Sequence, residues 1–240
     1  MLPKHYKAVF LDWDDTIGDF RHAAKQSLVL MYGTYGLRRL FDSFEDFYAL
    51  FQPHNIRLWE EYGEGRVTKD YLEFDRFFFP LMSSPRPLPT SDSATLAMQM
   101  AGEHLQHTTE YFSLLPDAGA VVRRLAERYP LVIVSNGFTE VQYRKIELSG
   151  LRDCFTDVVL SEETGFRKPD PEIYRVALRR GGWSADEVVM IGDTWSSDIQ
   201  GAANAGIDQI WVQSDLAGQD AGLPATYKVA HLTDCLDMLM

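Results

Sequence analysis

The sequence predicts an α/β fold: a doubly wound parallel sheet, interrupted after its first strand by an all-helical insertion. Three observations carry this. From Pro116 onward, short β-branched apolar runs alternate with longer amphipathic stretches, the pattern of repeated βα units. One more run of the same kind stands at residues 8–11, near the N-terminus. Residues 18–113, between them, hold no convincing buried strand and repeat aromatic residues at helical spacing. The expected organisation is a Rossmann-like core of residues 1–17 and 114–240 with residues 18–113 inserted as a helical domain.

The elements follow in order. The 8–11 run ends in "FLDWDDTIGD", residues 10–19. Helices are expected over about 19–35, 43–62, 68–80 and 92–112, with Gly33 and Gly36 near the first stop and Gly63 and Gly65 near the second. Pro53 is expected to kink or split the second helix. "SSPRPLPTSD" reads as a connector, with Ser91 or Asp92 capping the helix after it. Further strands are expected at 131–134, 158–160, 188–191 and 210–212, and further helices at about 117–128, 139–149, 171–181 and 197–205. The tail predicts a short strand at 227–229 and a closing helix from about Thr233.

Composition narrows the function. A chain of 240 residues buries a sizeable core. A net charge of −12 works against binding a nucleic acid polymer, which needs clustered Lys and Arg. A small anion remains compatible if a metal ion or local cation offsets the repulsion. Cys154 and Cys235 have no CxxC or His partner at ligand spacing, so they indicate neither a disulfide framework nor a zinc site. The apolar run before Asp12 is too short for a signal segment or a membrane span. No membrane partner is expected, and the expected location is the cytoplasm.

In an open parallel sheet, ligands bind outside the carboxyl ends of the strands. After the successive apolar runs come Asp12, Asp14 and Thr16; Ser135-Asn136-Gly137; a loop with "GFRKPDP"; and "GDTWSSD". Each has an ordinary explanation when taken singly. "DWDDT" reads as a solvated acidic turn, and Ser135 as a turn or capping residue. Lys168 reads as an exposed lysine at a helix entrance, where Asp170 caps and Pro171 takes the first helical position. "GDTWSSD" reads as a turn feeding a helix. Gathered at strand ends that the fold brings together, they form one set fit for a phosphate and a metal ion.

On these motifs, Asp12-x-Asp14-x-Thr16, Ser135, Lys168 and Gly192-Asp193-x4-Asp198, the chain resembles hydrolases of the haloacid dehalogenase superfamily. The insertion matches the position of that superfamily's type 1 cap. "LWEEYGEGRVT", "GFRKPDPEIY" and "GDTWSSDIQGAANAGID" are most similar to its pyrimidine 5′-nucleotidase branch. Many relatives have Gly where Asp15 stands, and Asp15 is given no catalytic role.

The resemblance implies Mg²⁺-dependent hydrolysis of a phosphomonoester through an aspartyl-phosphate. The implied substrate is a nucleoside monophosphate or another small phosphorylated metabolite, and the implied form a monomer or weak homodimer. Asp12 would be nucleophile and metal ligand, since a carboxylate attacks phosphorus without first losing a proton. Asp193 would ligate Mg²⁺ directly, the main-chain carbonyl of Asp14 would add a ligand, and Asp198 would act through water and orient Lys168. Asp14 is placed to protonate the departing alkoxide and then to deprotonate water. Ser135, with main-chain N–H groups around Asn136 and Gly137, would hold the phosphoryl oxygens, and Lys168 would neutralise their charge. In relatives the type 1 cap lies over the site and selects the leaving group, which makes Phe20, His22 and Arg76 candidates for substrate contact.

Other readings use nearly the same parts. A dehalogenase expels halide, which needs no proton, so it has no use for Asp14 or a metal pair. A phosphomutase would share Asp12 but shield the phosphoenzyme from water. A receiver-like signalling module has no large helical insertion and no GDxxxxD after a later strand. A non-catalytic phosphate- and Mg²⁺-binding module on the same scaffold stays open as an alternative, although no motif position is visibly lost here.

Overall fold

The computed structural model describes residues 4–213 and 224–240. The chain divides into two compact units, Met1–Phe20 with Phe112–Met240, and Arg21–Tyr111. Strand β1 (Ala8–Leu11) opens the first unit, and all four of its residues are buried, as a central strand covered on both faces requires. Beyond it the chain turns tightly: Ile17 and Gly18 N–H both donate to the Trp13 carbonyl. The outgoing and returning chains lie side by side, with Leu115 N–H donating to the Ile17 carbonyl and Asp19 N–H to the Ser113 carbonyl, each at 2.9 Å.

Four helices follow. They are α1 (Phe20–Thr34), α2 (Phe44–Gly63), α3 (Lys69–Met82) and α4 (Thr90–Glu110). Ser43 and Thr68 cap α2 and α3 by accepting the N–H of Asp46 and Tyr71. The core of this unit is aromatic and aliphatic, built on Leu28, Met31, Phe41, Phe47, Phe51, Phe77, Leu81 and Met100.

Of the two outcomes expected at Pro53 the split is absent, and so is the side-chain cap expected for α4. Pro53 does not split α2, which runs unbroken through it. The buried stripe Phe47, Phe51, His54, Leu58 and Tyr62 continues on both sides of the proline, and that packing offsets the lost backbone hydrogen bond. Neither Ser91 nor Asp92 caps α4; the helix starts at Thr90 behind Pro89, without a side-chain cap. Asp92 instead sits in the first turn, where its charge suits the helix dipole.

Back in the first unit come α5 (Ala118–Ala126), β2 (Leu131–Ser135), α6 (Thr139–Leu148), β3 (Phe155–Leu160), α7 (Ser161–Thr164) and α8 (Pro171–Gly181). They are followed by β4 (Val188–Gly192), α9 (Gln200–Asn204), β5 (Asp208–Val212), β6 (Tyr227–Val229) and α10 (Asp234–Leu239). Among the described residues the sheet has six strands in the order β3-β2-β1-β4-β5-β6, all parallel. Val9 and Leu11 face a core shared with α5, α6 and α10, whereas Ala8 and Phe10 face one shared with α8 and α9. The sheet is therefore wound on both faces.

β3 begins three residues before the expected 158. The helix expected over 197–205 is instead a π-helical turn, Trp195–Ile199, followed by the short α9. The wider turn accommodates Asp198, whose carboxylate reaches back to accept the Thr194 N–H at 3.1 Å. No helix among the described residues is long and apolar enough to cross a membrane.

Candidate active site

The strand order reverses direction at β1, with β2 on one side and β4 on the other, which opens a crevice at their carboxyl ends. Asp12 follows β1, Ser135 ends β2, and Asp193 follows β4. The main chain fixes Asp12 there, its N–H donating to the Ile191 carbonyl at 2.9 Å. The Asp193 carbonyl accepts the Trp211 indole N–H at 2.8 Å.

Lys168 comes to this point from the loop before α8, and its ammonium is buried between two carboxylates. It donates to Asp12 Oδ1 at 2.5 Å and to Asp198 Oδ1 at 2.7 Å. Thr16 adds a hydroxyl between Asp12 Oδ2 at 3.4 Å and Asp193 Oδ1 at 3.3 Å. Carboxylate oxygens of Asp12, Asp193 and Asp198 all lie within 4.8 Å of one another. Two of these acids share the Lys168 ammonium, and the third, Asp193, lies beside them. Burial pushes the Asp12 carboxyl up from its ordinary range, Lys168 opposes that shift, and Asp198 and Asp14 add to it. Burial works against the Lys168 ammonium, but Asp12 and Asp198 outweigh it, so this lysine holds its proton more tightly than an exposed one. The neighbouring carboxylates add to one shift and drive the other, and an all-oxygen donor set of this kind suits a hard divalent cation such as Mg²⁺.

The Lys168 loop is clamped in place by Asn136. The Asn136 amide donates to the Lys168 carbonyl and accepts the Lys168 N–H, both at 2.8 Å. Besides the main chain expected to bind phosphoryl oxygens, Asn136 thus contributes a side chain that holds the loop. Ser135 Oγ accepts from Gly137 N–H at 3.1 Å and from the Gln142 amide at 2.6 Å, so its own proton is available to donate to an incoming oxygen. Gly137 has to be glycine because a Cβ there would lie 2.4 Å from the Gln142 side chain. Gly192 is constrained in the same way, since a Cβ would lie 2.5 Å from Asp198.

Asp14 stands beside this cluster with its carboxylate one quarter exposed. Lys145 Nζ donates to its Oδ1 at 2.6 Å and Gln142 to its Oδ2 at 3.1 Å. Neither residue was singled out from sequence. A cue did exist: both lie on the buried side of α6, where an apolar residue is the ordinary occupant. Asp15 has φ 62°, the left-handed region that favours Gly, Asn and Asp, which explains why Gly and Asp both suit this turn.

Of the three leaving-group candidates, Phe20 lies in the sheet unit, with its ring 4.4 Å from Lys145 Nζ. His22 is exposed in the first turn of α1. Arg76 is buried on α3 within the helical unit, and its Nε and Nη2 find no hydrogen-bond partner among the described residues.

A doubly wound sheet with an acidic, cation-seeking cluster at its switch point defines an α/β enzyme. More particularly, the chain belongs to the haloacid dehalogenase-like hydrolase family, whose model matches residues 6–206. It is 29% identical over 237 residues to HAD-hydrolase YfnB of Bacillus subtilis (strain 168), covering 98% of this chain and 96% of that protein. A crystal structure of YfnB bound to magnesium superposes with a TM-score of 0.82 at 28% identity, covering 98% of this chain and 99% of that one. Pyrimidine 5′-nucleotidase YjjG of Escherichia coli (strain K12) is 29% identical, with 96% of each chain covered. Glyceraldehyde 3-phosphate phosphatase of Methanothermobacter thermautotrophicus is 30% identical, covering 88% of this chain and 87% of that protein.

Proposed function

We propose that the protein is a Mg²⁺-dependent phosphomonoesterase working through an aspartyl-phosphate, acting on a nucleoside monophosphate or another small phosphorylated metabolite. The observation that carries this is the placement of Asp12, which shares a buried ammonium with Asp198 and a hydroxyl with Asp193 at the end of the central strand. The similarity to YjjG and to glyceraldehyde 3-phosphate phosphatase supports phosphate esters as substrates.

Asp12, Asp193, Asp198 and the main-chain carbonyl of Asp14 would hold the metal, Asp198 through water. Bound there, Mg²⁺ supplies positive charge that lets an anionic ester approach an acidic site. The remaining work belongs to side chains. The Asp12 carboxylate attacks phosphorus as the ester P–O bond breaks, while Asp14 delivers its proton to the departing oxygen. Ser135 and the N–H groups near Asn136 and Gly137 bind the phosphoryl oxygens, and Lys168 balances their charge. Water then attacks phosphorus, gives a proton to Asp14, and releases phosphate from Asp12.

The test is phosphate release from p-nitrophenyl phosphate and from panels of nucleoside monophosphates and of sugar and organic-acid phosphates, in Mg²⁺ and in EDTA. Turnover that requires Mg²⁺ and weakens in its metal titration on Asp193→Asn is the expected result. No turnover of any ester by pure, folded protein refutes the proposal.

A further inference from the structure

The Asp14 carboxylate is not a free arm at the edge of the site. Each of its oxygens has its own donor, and both donors come from one helix, α6. Lys145 is the stronger tether. Its side chain is 3% exposed, its ammonium donates to Asp14 Oδ1 at 2.6 Å, and the Phe20 ring closes over that ammonium at 4.4 Å. A buried ammonium is stable only when paired, so Lys145 and Asp14 hold each other in one arrangement. Gln142 is the second tether and also a link, since the same Nε2 that donates to Asp14 donates to Ser135 Oγ at 2.6 Å. One amide therefore sets the spacing between the group proposed to handle protons and the hydroxyl proposed to hold the phosphoryl group.

We infer that Lys145, with Gln142, is a positioning residue of the reaction: it fixes the Asp14 carboxyl at the distance from the phosphate site from which the ester oxygen can be protonated. The inference rests on the proposed role of Asp14 and deepens it. Lys145 acts through Asp14, the carboxyl it holds. Proton delivery needs a donor held within hydrogen-bond reach of the accepting oxygen, and a quarter-exposed carboxyl is free to turn about its two side-chain torsions unless something holds it. Two donors at fixed positions on a packed helix remove that freedom. The Phe20 ring limits where the ammonium can move, so the tether is itself held from behind.

The experiment is a leaving-group series, from p-nitrophenyl phosphate to alkyl phosphates, measured on wild type, Asp14→Asn, Lys145→Met, Gln142→Met and the Asp14→Asn/Lys145→Met double variant, with folding checked by thermal melts. Lys145→Met is expected to lose about 100-fold in kcat on alkyl esters and less than about tenfold on the activated ester, which leaves without help. Gln142→Met should show the same selectivity and also a raised KM, because Ser135 loses a partner, and it serves as the test if Lys145→Met does not fold. The double variant should be no worse than Asp14→Asn alone. Equal losses across the series for both tether variants, while Asp14→Asn discriminates, would overturn the inference and leave the role of Asp14 standing. A flat series for Asp14→Asn would overturn that role and this inference with it.

Discussion

Replacing Lys168 with methionine removes the ammonium shared by Asp12 and Asp198 and leaves two buried carboxylates facing each other. Its contacts of 2.5 and 2.7 Å each correspond to about 6 kcal/mol of attraction at an effective dielectric of about 20. Most of that is offset by the desolvation of three ions, so the net loss comes from what the variant leaves behind. Relief requires one carboxylate to take up a proton, which near neutral pH costs about 4 kcal/mol for an ordinary aspartate and less for Asp12, whose carboxyl is already shifted up. The expected loss of stability is about 3–5 kcal/mol. Urea denaturation in EDTA, followed by tryptophan fluorescence, measures it, because Trp13 and Trp211 are both buried in the sheet unit. Lys168→Met/Asp198→Asn should recover at least half of the loss, since Asp12 then no longer faces the Asp198 carboxylate. A loss under about 1 kcal/mol, or a double variant no better than the single one, would refute the shared-ammonium account.

Other substitutions probe separate parts of the molecule. Asp12→Asn should keep the fold and abolish turnover; activity within about tenfold of wild type would remove the nucleophile assignment. Gly192→Ala forces a methyl group against Asp198 and should cost about 1–3 kcal/mol while reducing kcat, and an unchanged Tm would contradict the close approach. His104, buried on α4 with Nδ1 2.8 Å from Ser27 Oγ, is held well below the ordinary histidine pKa by burial, with Arg76 and His107 adding to the shift. Its depressed folded-state pKa means the unfolded chain takes up the proton first. Stability from this group is therefore intact above about pH 6.5 and falls by about 1.4 kcal/mol one pH unit lower. Denaturation of wild type and His104→Gln near pH 7.5 and 5.5 should show that difference in slope, and parallel slopes would rule it out.

Much of this molecule was legible because the informative patterns are local. Five apolar runs end in polar residues, and the parallel order of the strands then places Asp12, Ser135 and Asp193 at one edge. The Asp170 cap and Pro171 at the first turn of α8 were likewise readable from neighbouring residues. What escaped depends on partners distant in sequence. Lys145 and Gln142 acquire meaning only from Asp14, 131 and 128 residues away. The Asn136 clamp on Lys168 spans 32 residues. A propensity rule could not choose between a kink and a split at Pro53, because it cannot weigh the burial on either side of it, and the π-helical turn goes with a side chain that folds back on Thr194, which no local pattern displays.

The bridged segments at the base of the insertion have a consequence for the history and redesign of the fold. Gly18 and Leu114 form an antiparallel bridge, and Ile17 and Leu115 share a backbone hydrogen bond. To the sheet, everything beyond that junction is equivalent to a hairpin loop, and loop-closure entropy rises only slowly with loop length. The junction is thus a grafting point: helices can be lengthened, exchanged or trimmed to a tight turn there without altering the register of β1 against β2. Gly18 makes the seam compact, because a Cβ would crowd Phe112 at 3.0 Å and Trp13 at 3.1 Å. Recombination at this seam would preserve Asp12 and everything that anchors it.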